Sequence, residues 1–474
     1  MCGGWCMAPS LAFLARERWT VMALDAARAE VRLGVLALAW PAIVENILHM
    51  GVGIADVIMV GKLGKEAIAS VDLANALVHF SLAVFAAVTV GTTALVARHT
   101  GAQEWDEARE IARQSIKLLV LLALVLGVGG VMFGEQLIRL MMILDSSPDE
   151  SIIRLGGQYL RIVSYAVPFS LGLLGINAVL RGAGDTKTPM LVTGIGNVLN
   201  IILNYIFIFG MGRIPPMGVA GAALASAIAR TVEGLLALRA LFSERCVVNL
   251  RLSDDYRWNI PALKRIIGIG APAAAEQMIM RGGQLGFGLI VAGLGTVAIA
   301  SHAVSLTAES LSFMPGFGFA LAATTLVGQG LGAGRPDLAE QSGQVAARSA
   351  AYIMALLGMA LFLFPQQVVR LFTQDPQVIE LASVCLRIVA VSQPALAYVM
   401  VMAGALRGAG DTRRVMVVTV AGIWGVRLTI AYFLSYGLGW GLVGAYVGMI
   451  ADLFVRGALL YRSFAMGHWK TLEL

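Results

Sequence analysis

Residues 180–190 read LRGAGDTKTPM, and residues 406–416 read LRGAGDTRRVM. One polar loop is thus written twice, 226 positions apart, in a chain that is otherwise strongly apolar. The repetition extends outward from it. YLRIVSYAVP at 159–168 returns as CLRIVAVSQP at 385–394, with Pro168 and Pro394 each expected inside a helix. WPAIVENILHMG at 40–51 pairs with APAAAEQMIMRG at 271–282, and ALVARHTGA at 94–102 with TLVGQGLGA at 325–333, both 231 apart. A repeat that spans most of both halves marks a duplicated architecture. Within the loop, Gly182, Gly184, Gly408 and Gly410 are expected to permit a tight reversal. Asp185 and Asp411 are placed to cap the next helix, and Arg181 and Arg407 to hold the loop on the basic side of a membrane.

The membrane follows from composition. Of 474 residues, 58% are hydrophobic and 14% charged, and the mean hydropathy is +0.79. Ordinary soluble domains are about a quarter charged, so lipid must cover much of this surface. Twelve nearly charge-free segments are long enough to cross a bilayer as helices: 33–60, 67–97, 115–133, 157–180, 188–210, 218–241, 264–292, 296–328, 344–364, 383–406, 414–436 and 440–463. The short alternating strands of a membrane barrel are missing. The fold class is an all-α membrane protein with twelve transmembrane helices in two pseudo-symmetric six-helix lobes. Six spans per half is an even number, so both halves enter from one side and form parallel repeats. The expected division is an N-terminal tail (1–32), an N-lobe (33–242), a linker (243–262), a C-lobe (263–464) and a C-terminal tail (465–474).

The net charge of +6 fits positive-inside loops rather than nucleic-acid binding. Even-numbered loops carry Arg98, Arg109, Arg113, Lys117, Arg245, Arg251 and Arg413, among others, whereas the opposite side has few cations, Lys62, Lys65 and Arg213 among them. Both termini are therefore expected in the cytoplasm, with the chain in the inner (cytoplasmic) membrane. Cys2, Cys6, Cys246 and Cys385 have no metal spacing and imply no disulfide framework. Residues 1–30 lack a clean signal-peptide pattern. No diphosphate-binding Asp cluster, Gly-x-Ser-x-Gly or P-loop is present, which argues against an enzyme. Two six-helix lobes around a cleft suit alternating access, in which a site between them faces one side and then the other.

At this point the residues carry a resemblance. The six-plus-six layout, GIADVIMVGKLG (53–64), the two LRGAGDT loops, NVLNIILNYIFIFG (197–210) and SLSFMPGFGFALAATTLVGQGLGAG (310–334) resemble the multidrug and toxic compound extrusion (MATE) family, over about residues 33–463. The resemblance implies a secondary antiporter exporting organic cations or amphipathic compounds in exchange for sodium ions or protons, without ATP. In one branch of the family an acidic pair lies in the N-lobe. Its first member matches Asp56, while the second position holds Asn204. In another branch a glutamate lies about eight residues after the seventh-helix proline, where this chain has Met280.

Polar groups inside spans are functional candidates, because a mid-membrane charge costs at least a few kcal/mol. Glu45 and Asp56 share one helix face, about 20° apart in heading. Glu276 stands where Glu45 does in the repeat and is followed by Gln277, and the eighth helix offers Glu309. If Glu45 and Glu276 face the cleft, they place one carboxylate in each lobe to attract a cation. Asn197, Asn200 and Asn204 lie within about 60° on the fifth helix. Asp56 with Asn200 and Asn204 is a candidate sodium site, a carboxylate completed by neutral oxygens. His49, His79 and His302 read as packing residues. Arg281 and Arg427 read as snorkelling or paired, and Arg456 as paired with Asp452 one turn away. The expected partners are small-molecule organic cations or drugs and the lipid bilayer, with no nucleic acid, no cofactor beyond the coupling Na+ or H+, and a monomeric chain. A flippase for lipid-linked precursors or polysaccharides, and a membrane-embedded enzyme or receptor, are the alternatives.

Overall fold

The computed structural model describes the backbone of residues 11–142, 149–244, 246–251, 254 and 257–472, and the side chains of these apart from 11–28 and 79–84. Cys2, Cys6, Arg245 and the side chain of His79 lie outside the described residues. The described residues are predominantly helical, with no strand beyond one isolated bridge, Met211 to Ile214. The N-terminal half contains α1 (Leu11–Gly61), α2 (Lys65–Gly101), α3 (Trp105–Met141), α4 (Glu150–Ser164), α5 (Val167–Gly182), α6 (Lys187–Phe209) and α7 (Gly218–Leu241). The C-terminal half contains α8 (Ile260–Ala292), α9 (Thr296–Gly332), α10 (Pro336–Leu363), the short α11 (Pro365–Val369), α12 (Pro376–Gly408), α13 (Thr412–Val420), α14 (Leu428–Tyr432) and α15 (Gly441–Ala465). Stretches of π-helix, Ala421–Arg427 and Phe433–Gly437, join α13 and α14 into one span. Among the described residues, nine helical stretches are long and apolar enough to cross a membrane, or ten if α4 and α5 are counted as one bent span. With α2 and α8 added, 37 and 33 residues long, the expected twelve spans are accounted for.

One expectation about the spans changes. The fourth span is not one helix: α4 and α5 meet at 55°, and Pro168 stands in the first turn of α5. Its missing N–H costs nothing there. Glycines of α3 admit the bend, since side chains at Gly127 and Gly130 would meet the carbonyl and hydroxyl of Ser164. Pro394, its counterpart, does lie inside a continuous helix. The linker is also no loose tether. Val248 and Leu250 are buried, and the Arg257 carbonyl accepts hydrogen bonds from Gln114 (2.8 Å) and Lys117 (2.7 Å) of α3. Asn259 then caps α8 by accepting from the Ala262 N–H.

The repeated loop ends α5 and α12 in the same way. Gly184 and Gly410 have φ of 90° and 87°, a region that glycine alone enters without strain. The Asp185 and Asp411 N–H groups each close the turn at 2.8 Å, onto the carbonyls of Leu180 and Leu406. Gly182 and Gly408 serve a different purpose from the one expected. Their backbones lie against the Thr93 and Thr324 carbonyls of α2 and α9, with no room for a side chain. Asp185 caps α6 by accepting from the Thr188 N–H at 2.9 Å, whereas Asp411 instead pairs with Arg414 at 3.3 Å.

Each loop arginine reaches back into its own lobe. Arg181 donates to Glu45 of α1 at 2.7 Å, and Arg407 to both oxygens of Glu276 of α8 at 2.7 and 2.8 Å. Glu276 also accepts from Thr419 at 3.2 Å. The two glutamates are 1% and 2% exposed. They are therefore not free cleft carboxylates, and the arginines do more than orient a loop. Each pair ties the first span of its lobe to the end of the fourth.

The lobes meet at the end that carries the basic loops. There α2 crosses α9 with Gly101 against the Gln329 backbone and Gly332 against the Arg98 backbone, and Gly270 of α8 abuts the Ala87 carbonyl. Val31, Val35 and Ala39 of α1 join the core of the C-lobe with Phe319 and Ala322. Reciprocally, Ile266 and Ile269 of α8 join the N-lobe core with Leu95. Toward the other end Ile54, Val57 and Ile58 of α1 are exposed. The molecule is closed at its basic end.

Gly332→Leu should force the α2–α9 crossing apart and destabilise the closed form by about 1–3 kcal/mol, read as a lower melting temperature in detergent. An unchanged melting temperature would contradict so close a backbone approach. Glu276→Gln, which strands a doubly bonded arginine, should cost about 3 kcal/mol and more than Glu45→Gln, whose pair is singly bonded. Equal losses in calorimetry would contradict that ranking.

Candidate functional site

The polar residues of the N-lobe converge because three helices present matching stripes. On α6, Asn197, Asn200 and Asn204 fall on one face. On α7, Ser226, Arg230 and Glu233 do the same at spacings of four and three. On α1, Glu45 and Asp56 share a heading. Where they meet, Asn204 donates from Nδ2 to Asp56 Oδ1 at 2.5 Å and to Asn200 Oδ1 at 2.9 Å. Asn200 in turn donates to the Ser226 hydroxyl at 3.3 Å. Asn197 stays one turn away with its Nδ2 buried and unpartnered.

A cavity of about 170 Å³ opens beside Asp56. Gly53, Asp56, Val57 and Val60 of α1 line it with Ile68, Val71, Asp72 and Asn75 of α2, Tyr159 of α4, Asn204 of α6, and Ala222 and Ser226 of α7. The lining holds two carboxylates, Asp56 and Asp72, among neutral oxygens, and the Asn204 Oδ1 is buried without a partner. A buried acceptor left unmade costs about 1–3 kcal/mol, and a hard cation or a donor in the cavity would relieve it. Residues of this kind fit a small monovalent cation held by Asp56, Asn200 and Asn204. They equally fit a proton on Asp56, in which case the hydrogen bonds orient the carboxyl.

Sequence reasoning passed over Tyr159, Ser226, Asp72 and Asn75 of this lining, and over Arg230 and Glu233. The last two pair at 2.9 Å in the middle of a 24-residue span, a signal that was legible as two charges in an apolar helix. Asp72, a charge inside the 67–97 segment, was legible in the same way; Tyr159, Ser226 and Asn75 gave no comparable signal, since only the fold brings them around Asp56.

The C-lobe does not repeat this arrangement. The counterpart of Asp56 in the repeat is Phe287, whose ring packs on His302 and Tyr446 at 5.4 and 6.4 Å. His302 Nδ1 lies 3.0 Å from the Tyr446 hydroxyl. Asp452, fully buried, is held by Arg456 at 2.6 Å and by Arg427 at 2.7 Å, so both arginines are paired. Glu309 of α9 is buried and stands apart from the N-lobe cavity. Gln277 is half-buried on α8 and likewise does not join it. Arg281 donates to Gln284 at 3.4 Å.

Comparison with known proteins agrees with this architecture. The family model MatE matches residues 41–206 and 272–433, one block in each lobe. A probable multidrug resistance protein NorM of Thermotoga maritima is 34% identical over 447 residues, covering 93% of this chain and 94% of the relative. The multidrug resistance protein NorM of Burkholderia vietnamiensis is 30% identical, covering 92% and 94%. Among solved structures, a MOP superfamily transporter from Pyrococcus furiosus superposes with a TM-score of 0.84 at 24% identity, covering 92% of this chain and 95% of that one. A MATE structure in the bent conformation gives the same score over 93% and 96%. These likenesses place the chain in the two-lobe, twelve-helix fold. The chain belongs to the MatE family of multi-pass membrane transporters and is not an enzyme.

Proposed function

We propose that the chain is a secondary multidrug antiporter of the inner membrane, exporting organic cations or amphipathic compounds in exchange for sodium ions or protons. The observation that carries this reading is the Asp56–Asn204–Asn200 cluster, a carboxylate in a small cavity within the membrane span of one lobe. Relatives bearing multidrug resistance names support the choice of cargo. With the basic loops read as cytoplasmic, the lobes are closed toward the cytoplasm and part toward the outside. Uptake of an ion at Asp56 then neutralises the carboxylate and favours return to the inward-facing form, where drug exchanges for the ion. Alternating access needs no chemistry beyond this, only a ligand with different affinity for the two states.

Reconstituted in liposomes with a fluorescent organic cation, the protein should accumulate or release it under a sodium gradient or a pH gradient imposed separately. Silence under both would sink the antiporter reading for that cargo class. Asp56→Asn should abolish the response to either gradient. Asn200→Leu and Asn204→Leu separate the ions. If sodium is the coupling ion, each should weaken its apparent affinity about tenfold or more, as loss of an oxygen ligand worth about 1.4 kcal/mol implies. If a proton is the ion, both variants should keep a pH-driven response that Asp56→Asn lacks.

A further inference from the structure

A second cavity, an open recess of about 580 Å³, lies in the N-lobe at the end away from the basic loops. Asp72 and Leu73 of α2, Met141 and Met142 at the end of α3, and Ile152 of α4 line it. Its volume suits a drug-sized molecule, and its wall is apolar except for one carboxylate. Methionine side chains are unbranched and flexible, so such a wall adapts to bodies of different shape. Helical periodicity tells which way the recess faces. Ala69, also in its wall, stands eighteen residues before Ala87, and Leu73 eighteen before Gly91. Eighteen residues make five full turns, so each pair shares a heading about 27 Å apart along the helix. Ala87 and Gly91 are where α2 meets α8, at Gly270 and Ile266. The recess therefore lies on the face of α2 that turns toward the C-lobe, at the end where the lobes are not closed.

Asp72 lines the recess and the Asp56 cavity alike, the one residue common to both walls. Its side chain is exposed and makes no ion pair or hydrogen bond among the described residues. Lys65, at the start of the same helix, pairs with Glu66 instead at 4.0 Å. A carboxylate within the 67–97 span and without a counter-charge is costly, which makes it a functional candidate rather than a filler. The frame shared by the two lobes does not require it. At the offset of 231 that relates α2 to α9, its counterpart is Ala303. Glu45 and Glu276, which do serve that frame, are acids in both lobes and paired in both.

We propose that the recess is an outer subsite for the exported compound, an amphipathic organic cation whose positive end sits at Asp72 and whose apolar body lies against Leu73, Met141, Met142 and Ile152. Charge complementarity selects this occupant. A lipid chain would cover the apolar wall and leave the carboxylate without a counter-charge. A small inorganic cation would meet the carboxylate and leave most of the recess unfilled. An organic cation of drug size satisfies both. Asp72 is then a specificity residue, favouring a cation over a neutral compound of the same shape. The C-lobe-facing side of α2 puts the subsite beside the opening between the lobes, where cargo leaves. Asp72 stands there outside the Asp56–Asn204–Asn200 hydrogen-bond cluster. This inference deepens the cargo class proposed above and rests on it.

The test places a thiol in the recess with Ala69→Cys, in a full-length chain whose four native cysteines are replaced by alanine, held in nanodiscs of neutral phosphatidylcholine. The rate of its modification by N-ethylmaleimide is measured against ethidium, a permanent organic cation, and against Nile red, a neutral dye of similar size. Ethidium should slow the modification in a saturable way, and Nile red should leave it unchanged. Asp72→Asn should raise the ethidium concentration needed for half protection about tenfold or more, as loss of a charge-assisted contact implies. Should Asp72→Asn fail to fold, Asp72→Ser carries the same expectation. If ethidium binds the protein, seen in its fluorescence anisotropy, yet leaves Ala69→Cys unprotected, the subsite is overturned and the antiporter reading stands. Equal protection by Nile red, or protection that survives loss of the Asp72 carboxylate unchanged, overturns it as well. If ethidium neither binds the protein nor is moved by it in liposomes, the cargo class fails for this compound and the subsite falls with it.

Discussion

A carboxylate buried in a membrane span must find a counter-charge inside the protein or give up its own charge, because lipid supplies neither ion nor water. Glu45 and Glu276 meet that constraint with the arginine of a loop more than 130 residues away in sequence. Much of each lobe is arranged around this contact. The arginine must stand at the end of the fourth span, so the chain must reverse immediately after it, which requires the left-handed glycine at Gly184 or Gly410. The reversal must lie tight against the second span, which requires Gly182 or Gly408 at the crossing. One ion pair per lobe thus fixes where the first, second and fourth spans converge.

Duplication gave both lobes this frame and left their interiors free to differ. The N-lobe keeps a polar cavity between α1, α2, α4, α6 and α7. The C-lobe fills the corresponding place with Phe287, His302 and Tyr446 and gathers its charge in the Arg427–Asp452–Arg456 cluster. A pseudo-symmetric scaffold thus carries one polar interior and one lined by aromatic rings.

The sequence carried the fold nearly whole. Twelve apolar runs and repeats at offsets of 231 (Trp40–Gly51, Ala94–Ala102) and 226 (the LRGAGDT loops) leave little choice of architecture, because hydropathy and repetition are properties of the chain itself. Asp56, Asn200 and Asn204 were legible too, since helical periodicity alone puts the two asparagines on one face. Glu45 and Glu276 were legible as a symmetric pair and yet misplaced, because nothing in a linear chain shows that Arg181 and Arg407 point inward rather than out to the membrane surface. The break before Pro168, beside a continuous helix through Pro394, depended on Gly127 and Gly130 of another helix. Tyr159 and Ser226 became part of a site only when four helices met. Apart from Asp72, Arg230 and Glu233, whose charges stand in plain view in apolar spans, what escaped reading was a tertiary coincidence.

The closure at the basic end has a composition suited to being undone. Within a lobe, charges are paired and helices are tied by bonds such as Thr324 to the Gly404 carbonyl at 2.8 Å. Between lobes, the close contacts are largely glycine against backbone, at Gly101, Gly270 and Gly332. Such surfaces pack closely through dispersion, and the ion pair across them, Arg265 of α8 with Glu107 of α3 at 3.1 Å, is part-exposed and passes to water when the lobes separate. The bonds from Thr325 and Gln329 end on carbonyls that water can satisfy once the lobes part. Strong contacts inside each lobe and weak, replaceable ones between them are the condition for rigid lobes that rock.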